Sequence, residues 1–287
     1  LVAIEKNARR KIRFHRTTSK QALIEPRKLK PLAALLAILL CAIPFSVGFV
    51  LPAGTIGWHA LDTSGIWTNS DLYVALWNTV WVGGIAAVLT VTGGLLLVYG
   101  SRLSDSSRLR FLLPATTIGY AAPGAVLGIG LLIPLAAFDQ RLADLILSLT
   151  GIEPGLILTG SAFALILAYF VRFFAFAQGA SEAALGRISP SLAMAARSLG
   201  QSRAGTLRKV HLPLIRGSVA TALLLVFVDC VKELPATLLL RPFNFNTLAT
   251  SVYDAASLEN LSGAAPAAIV IMLVGLCAVL LLARSAR

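Results

Sequence analysis

Residues 194–213 read MAARSLGQSRAGTLRKVHLP, and this polar stretch between two apolar runs decides how the rest of the chain is read. Ser189-Pro190 just ahead of it supplies a helix start, a capping hydroxyl followed by proline at the first helical position. Leu192, Ala195 and Leu199 then share one helical face. Gly200 stands where a helix ends in a left-handed residue. Ser202 is placed to cap a second short helix with Leu207, Val210 and Leu214 on its apolar side. Pro213 is expected to begin the next membrane span.

Working outward, 57% of the 287 residues are hydrophobic and 13% are charged, a composition that belongs to membrane proteins. Six apolar runs, near 32–52, 73–99, 111–137, 156–178, 214–231 and 263–283, are long enough to cross about 30 Å of hydrocarbon at about 1.5 Å per residue. An all-α membrane bundle of six transmembrane helices over 31–287 follows. The net charge of +12 does not indicate nucleic acid, because the cations cluster between the apolar runs.

The Lys/Arg distribution sets an expected orientation. Ten lie in 1–30, and with Arg102, Arg108, Arg110, Arg187, Arg197, Arg203, Arg208, Lys209, Arg216, Arg284, Arg287 and Arg172 (read as near the inner end of the fourth span) they make 22 on one side. Arg141, Lys232 and Arg241 stand on the other. Both termini and 179–213 are therefore expected in the cytoplasm. The segment 1–30 is too charged to span a membrane. It reads as a basic cytoplasmic linker within a longer protein, or as an N-terminal arm on anionic lipid.

On the outer side, Trp58, Trp67, Tyr73, Trp77 and Trp81 mark an interface. The third span carries Pro114, Pro123 and Pro134, and its Gly124–Gly128 spacing reads as ordinary close packing. Segment 138–155, with Leu142, Leu145, Ile146 and Leu149 at helical period, is expected to lie along the outer interface. After the fifth span, Asp229, Lys232 and Glu233 fall on one helical face by their spacing. Pro235 breaks the helix, and the apolar surface continues to Arg241. Charges at this depth need a partner. The two acids are expected to face an interface with another subunit, with Arg241, a group from that subunit, or water between them, and to line a path or outer gate.

Cys41, Cys230 and Cys277 show no paired spacing, and His15, His59 and His211 fit no zinc pattern. There is no phosphate-binding loop and no catalytic constellation. No enzyme activity, catalytic residue, metal site or cofactor of the chain's own is expected.

Ala195-Ala196, Gly200, Val210 and Leu212-Pro213 together resemble the Glu-Ala-Ala…Gly…Ile-x-Leu-Pro signature of ABC-importer permeases. Met194 replaces the acid, and Val210 the isoleucine. A second apparent start, Glu182-Ala183-Ala184, has its glycine, Gly186, two residues too early. KELPATLLLRPFNFNTLAT (232–250), with SPSLAMAARSLG (189–200) before it, resembles the permeases of ferric-iron ABC importers over most of their second six-helix half. Thiamine and aminoethylphosphonate permeases share the pattern more loosely. The resemblance implies a type I (MetI-like) permease bundle in the bacterial inner membrane. It implies a second permease half, ATPase subunits that use the ATP and an extracytoplasmic binding protein. It places ATPase coupling at Ala195, Ala196, Leu199, Gly200, Leu207, Val210, Leu212 and Pro213, within a connection at 189–213. A secondary transporter or scaffold without an ATPase is the alternative from another class.

Overall fold

The computed structural model describes residues 29–62, 67–103, 113–116 and 118–285. The basic segment before Leu29, Ser64, Arg108, Arg110 and Arg287 lie outside them. Every regular element among the described residues is helical. Contacts divide the chain after Leu51. The first unit contains α1 (Pro31–Phe45), continued by a widened turn over Ser46–Val50. None of the residues of α1 is buried.

The second unit holds α2 (Leu51–Asp62), α3 (Ser70–Leu103), α4 (Ile118–Ala121), α5 (Gly124–Thr150) and α6 (Ala162–Gly186). It continues with α7 (Pro190–Ser198), α8 (Arg203–Thr206), α9 (Leu212–Val231), α10 (Pro235–Leu240), α11 (Leu248–Ser257) and α12 (Leu261–Ser285). Six stretches are long and apolar enough to cross a membrane: Pro31–Leu61, Ser70–Leu103, Gly124–Thr150, Ala162–Gly186, Arg203–Val231 and Leu261–Arg284.

Helices α3 and α6 make the most extensive pairing, and α9 packs across both. Small residues permit it. A Cβ on Gly94 would stand 2.9 Å from the carbonyl carbon of Ala177, so only glycine lets the two backbones approach this closely. Val82, Ala86, Ala168, Tyr169, Ala222 and Val226 fill the centre of this core. A smaller cluster joins Ala75, Leu248 and Ala267 of α3, α11 and α12. Thr79 Oγ1 accepts from Leu248 N at 2.8 Å, and Asn78 Nδ2 donates to Asn246 O at 3.0 Å, which fixes the 246–248 turn to α3.

Two expectations are corrected here. The third span is Gly124–Thr150 and not 111–137, and 138–150 is its second half. The chain does not turn after 137, because Gly124–Thr150 is one continuous helix, and Asp139 within it is fully buried and satisfied. Its carboxylate accepts from the amides of Ile157, Leu158 and Thr159 and from the Thr159 hydroxyl at 2.7–3.1 Å. A carboxylate so enclosed is the receiver of the returning loop and not an interfacial charge. Gly151, at φ 69°, ends α5.

The fifth crossing does not begin at Pro213. A helical rod runs over Arg203–Val231, with Pro213 in the first turn of α9 and a π-helical turn at Leu207–His211 just before it. Proline lacks an N–H and crowds the carbonyl four residues back. The widened turn, in which Leu212 N bonds Leu207 O, takes up that defect without breaking the rod.

Candidate functional site

Two places gather the residues singled out from sequence. The first is the connection at 189–213. Ser189 caps α7 by accepting from Ser191 N. At the other end Gln201 N donates to Ala196 O at 3.0 Å, and Gly200 N to Arg197 O at 2.9 Å. This pair of bonds, with Gly200 at φ 80°, is a Schellman termination. Ala196 is buried, while Leu192, Met194 and Leu199 are 46%, 61% and 81% exposed. The cap thus holds a short helix with apolar side chains turned outward, and Ala195 is exposed beside them.

Beyond Gly200, Ser202 accepts from Gly205 N at 3.0 Å and starts α8. The face that packs inward carries Thr206, His211 and Ile215. Leu207 and Val210 are half-buried, Leu212 and Leu214 exposed. The expected Leu207–Val210–Leu214 stripe fails as one face because the π turn inserts an extra residue per turn and shifts the register. Tyr99 Oη donates to Arg203 O at 2.7 Å and ties the connection to α3.

The second place is a polar knot between three crossings. Arg172 Nε lies 2.9 Å from Glu233 Oε2, with side chains 19% and 7% exposed. Arg172 Nη1 also donates to Ala122 O at 3.1 Å, just before Pro123 and the start of α5. Glu233 stands where the helix breaks between α9 and α10. Its Oε1 accepts from Ala236 N at 3.3 Å, and its backbone oxygen accepts from Thr237 Oγ1 at 2.6 Å. Tyr169 and Thr237 share a 2.6 Å hydroxyl bond. Two helix breaks, 121–124 and 232–235, therefore meet at one guanidinium (a joint with almost no spare room). A Cβ on Gly124 would stand 2.6 Å from Glu233 Oε1 and 3.2 Å from Arg172 Nη1, and one on Gly128 would stand 3.0 Å from Leu239. The Gly124–Gly128 spacing is packing against α10, as expected.

The charge pairing differs from expectation. Asp229 and Glu233 share no donor among the described residues. The helix ends at Val231, so Lys232 turns back to Asp229 at 2.7 Å, while Glu233 points inward to Arg172. Arg241 binds Asp254 at 3.1 Å and Asn246 at 2.7 Å instead. Pro235 opens α10. Arg172 lies in the middle of α6 and not near its end. It is the functional candidate that sequence reasoning missed. Its signal was present, since a lone arginine within an apolar crossing calls for a partner at that depth.

The model of one protein family, described as "binding-protein-dependent transport system inner membrane component", matches residues 91–287. Among similar curated proteins, the Fe(3+)-transport system permease protein FbpB 2 of Haemophilus influenzae is 29% identical over 242 residues, 80% of this chain and 44% of that protein. The chain thus spans less than half the length of this relative. A putative 2-aminoethylphosphonate transport system permease protein, PhnV of Salmonella typhimurium, is 27% identical over 85% of this chain and 91% of its own. Among solved structures, a bacterial ABC transporter involved in the import of alginate aligns with TM-score 0.69 at 16% identity, over 89% of this chain and 96% of that one. A second structure, an alginate ABC transporter in complex with an alginate pentasaccharide-bound periplasmic protein, aligns with TM-score 0.63 at 15% identity, over 86% of this chain and 92% of that one.

Proposed function

This chain belongs to the family of binding-protein-dependent transport system inner membrane components, and we propose that it is the permease part of an ATP-driven importer whose solute is ferric iron. The family is a transport component and not an enzyme, and its six long apolar helices make the chain a multi-pass inner-membrane protein. The observation that carries the importer reading is the capped helix α7. Its apolar residues Leu192, Met194 and Leu199 are held out by a left-handed Gly200, and buried Ala196 sets its inner side. An exposed apolar helix end of this kind suits a partner that supplies a groove. That partner is an ATPase subunit, which binds and uses the ATP. A second permease half completes the path, and an extracytoplasmic protein delivers the solute.

Iron is favoured over other solutes by the likeness to relatives described as ferric transport permeases. Fe(III) prefers several oxygen donors. In this reading the binding protein holds the ion and the permease offers a path. Asp229, Lys232, Glu233, Pro235 and Arg241 lie around the helix break and form its lining or outer gate, with Arg172 as the lock on Glu233. The second reading is 2-aminoethylphosphonate, favoured by the near full-length match to that permease.

Uptake in cells lacking the gene separates these readings. Radiolabelled iron uptake should fall and return on complementation, with aminoethylphosphonate and thiamine uptake unchanged. Loss of phosphonate uptake alone would transfer the assignment to that solute. Uptake that persists without any ATPase would make the protein a secondary transporter.

A further inference from the structure

A cavity of about 360 Å³ opens where the ends of α3 and α6 meet α7 and the π turn before α9. Its polar wall is cationic. Arg102 and Arg197 line it together with Ser189 and His211, and no acidic side chain does so among the described residues. Leu103 and Leu185 form part of its apolar wall.

The two arginines differ in a way that suits binding. Arg102 is anchored, donating to Leu185 O at 2.9 Å and to Glu182 O at 3.4 Å, bonds that use two of its five N–H groups. The side chain of Arg197, on α7, makes no hydrogen bond or ion pair with the described residues. His211 is 8% exposed, and its Nδ1 is buried without a partner among the described residues. Its ring stands edge-on to Tyr99 at 5.4 Å. A buried ring nitrogen left unpaired is costly.

We propose that this cavity binds the phosphate group of an anionic phospholipid, gripped between anchored Arg102 and free Arg197 with His211 behind it. Paired guanidinium groups match phosphate oxygens in geometry and charge. The space far exceeds one water, whose share of the liquid is about 30 Å³. The location favours a lipid source. The cavity lies at the ends of helices long and apolar enough to cross a membrane, and basic pockets between such helices take anionic headgroups. Leu103 and Leu185 then meet the glycerol and upper acyl carbons. Bound there, the lipid bridges α3 to α7 and sets the position of the exposed helix. This site goes beyond the importer reading and does not depend on it, because binding is measured without solute or ATP.

The test is native mass spectrometry of the full-length protein, stripped of lipid in detergent and titrated with phosphatidylglycerol, phosphatidylcholine or inorganic phosphate. Phosphatidylglycerol should be retained in preference to phosphatidylcholine. Arg197→Gln, which removes a side chain with no protein partner, should weaken it about tenfold, the equivalent of one charge-assisted bond. Arg102→Gln with Arg197→Gln should abolish it, and thermal unfolding of Arg197→Gln should match the parent. Equal retention of the two lipids, or unchanged phosphatidylglycerol affinity in Arg197→Gln, overturns the site. Binding of inorganic phosphate without retention of phosphatidylglycerol overturns the lipid source.

Discussion

Arg172 and Glu233 carry opposite charges out of water, and neither has another ionic partner among the described residues. Breaking such a pair leaves one charge buried, which typically costs about 3–5 kcal/mol. Glu233→Gln is therefore expected to destabilise the protein by about that amount, seen as a lower unfolding temperature in detergent and reduced uptake. Arg172→Met combined with Glu233→Leu should recover much of the stability, since an apolar pair needs no solvation. If the double variant also transports normally, the pair is a structural fastener and the gate assignment fails. Gly124→Ala tests the same joint from the third crossing. Its methyl would stand 2.6 Å from Glu233 Oε1, so a fall in stability without any change of charge is expected. Wild-type unfolding of this variant would show that the 121–124 break has room to yield.

Two elements depend on a single terminating residue. At Gly200 the space around a Cβ is open, and φ is 80°. A side chain there meets no neighbour but pays for the left-handed backbone, about 1–2 kcal/mol, and more for a β-branched residue. Gly200→Val should therefore insert normally yet displace α7, with uptake lost and ATPase co-purification weakened. Wild-type uptake would remove the coupling role from this helix end. Asp139 is the counterpart for the loop after α5. It receives every amide from Ile157 to Thr159, so Asp139→Ala leaves three donors seeking water. Faster proteolytic cleavage between Gly151 and Gly160 is expected, with the other helices unaffected. A cleavage rate equal to wild type would mean that packing alone holds this loop.

At the scale of the molecule, orientation is the property most open to test. The Lys/Arg bias predicts that α7 and α8 lie in the cytoplasm. A cysteine in place of exposed Ser202 should react with an impermeant thiol reagent only after the membrane is opened. Reaction in intact cells would invert the topology and with it the side on which an ATPase docks. Cys230 is buried, but Cys41 and Cys277 are exposed, so both exposed thiols should be replaced first.

Periodicity and length by themselves determined the all-helical membrane bundle, the six crossings and the capped helix ending at Gly200. These are local matters: apolar run length, a capping hydroxyl, and a glycine where φ turns positive. A break near Pro235 was legible too, although the helix ends earlier, at Val231, and the proline opens the next one. Tertiary structure decided what the charged residues do. Glu233 is one turn from Asp229 in sequence, yet its partner lies 61 positions away (Arg172 to Glu233), brought there by two helix breaks that meet. Asp139 read as an interfacial charge until the returning loop placed three amides around it. The register beyond Leu207 was hidden for a related reason. A π turn costs little when it accommodates Pro213, but it rotates every residue after it. Apolar burial is written in a pattern along the chain, whereas a buried charge is satisfied only by what folding brings to it.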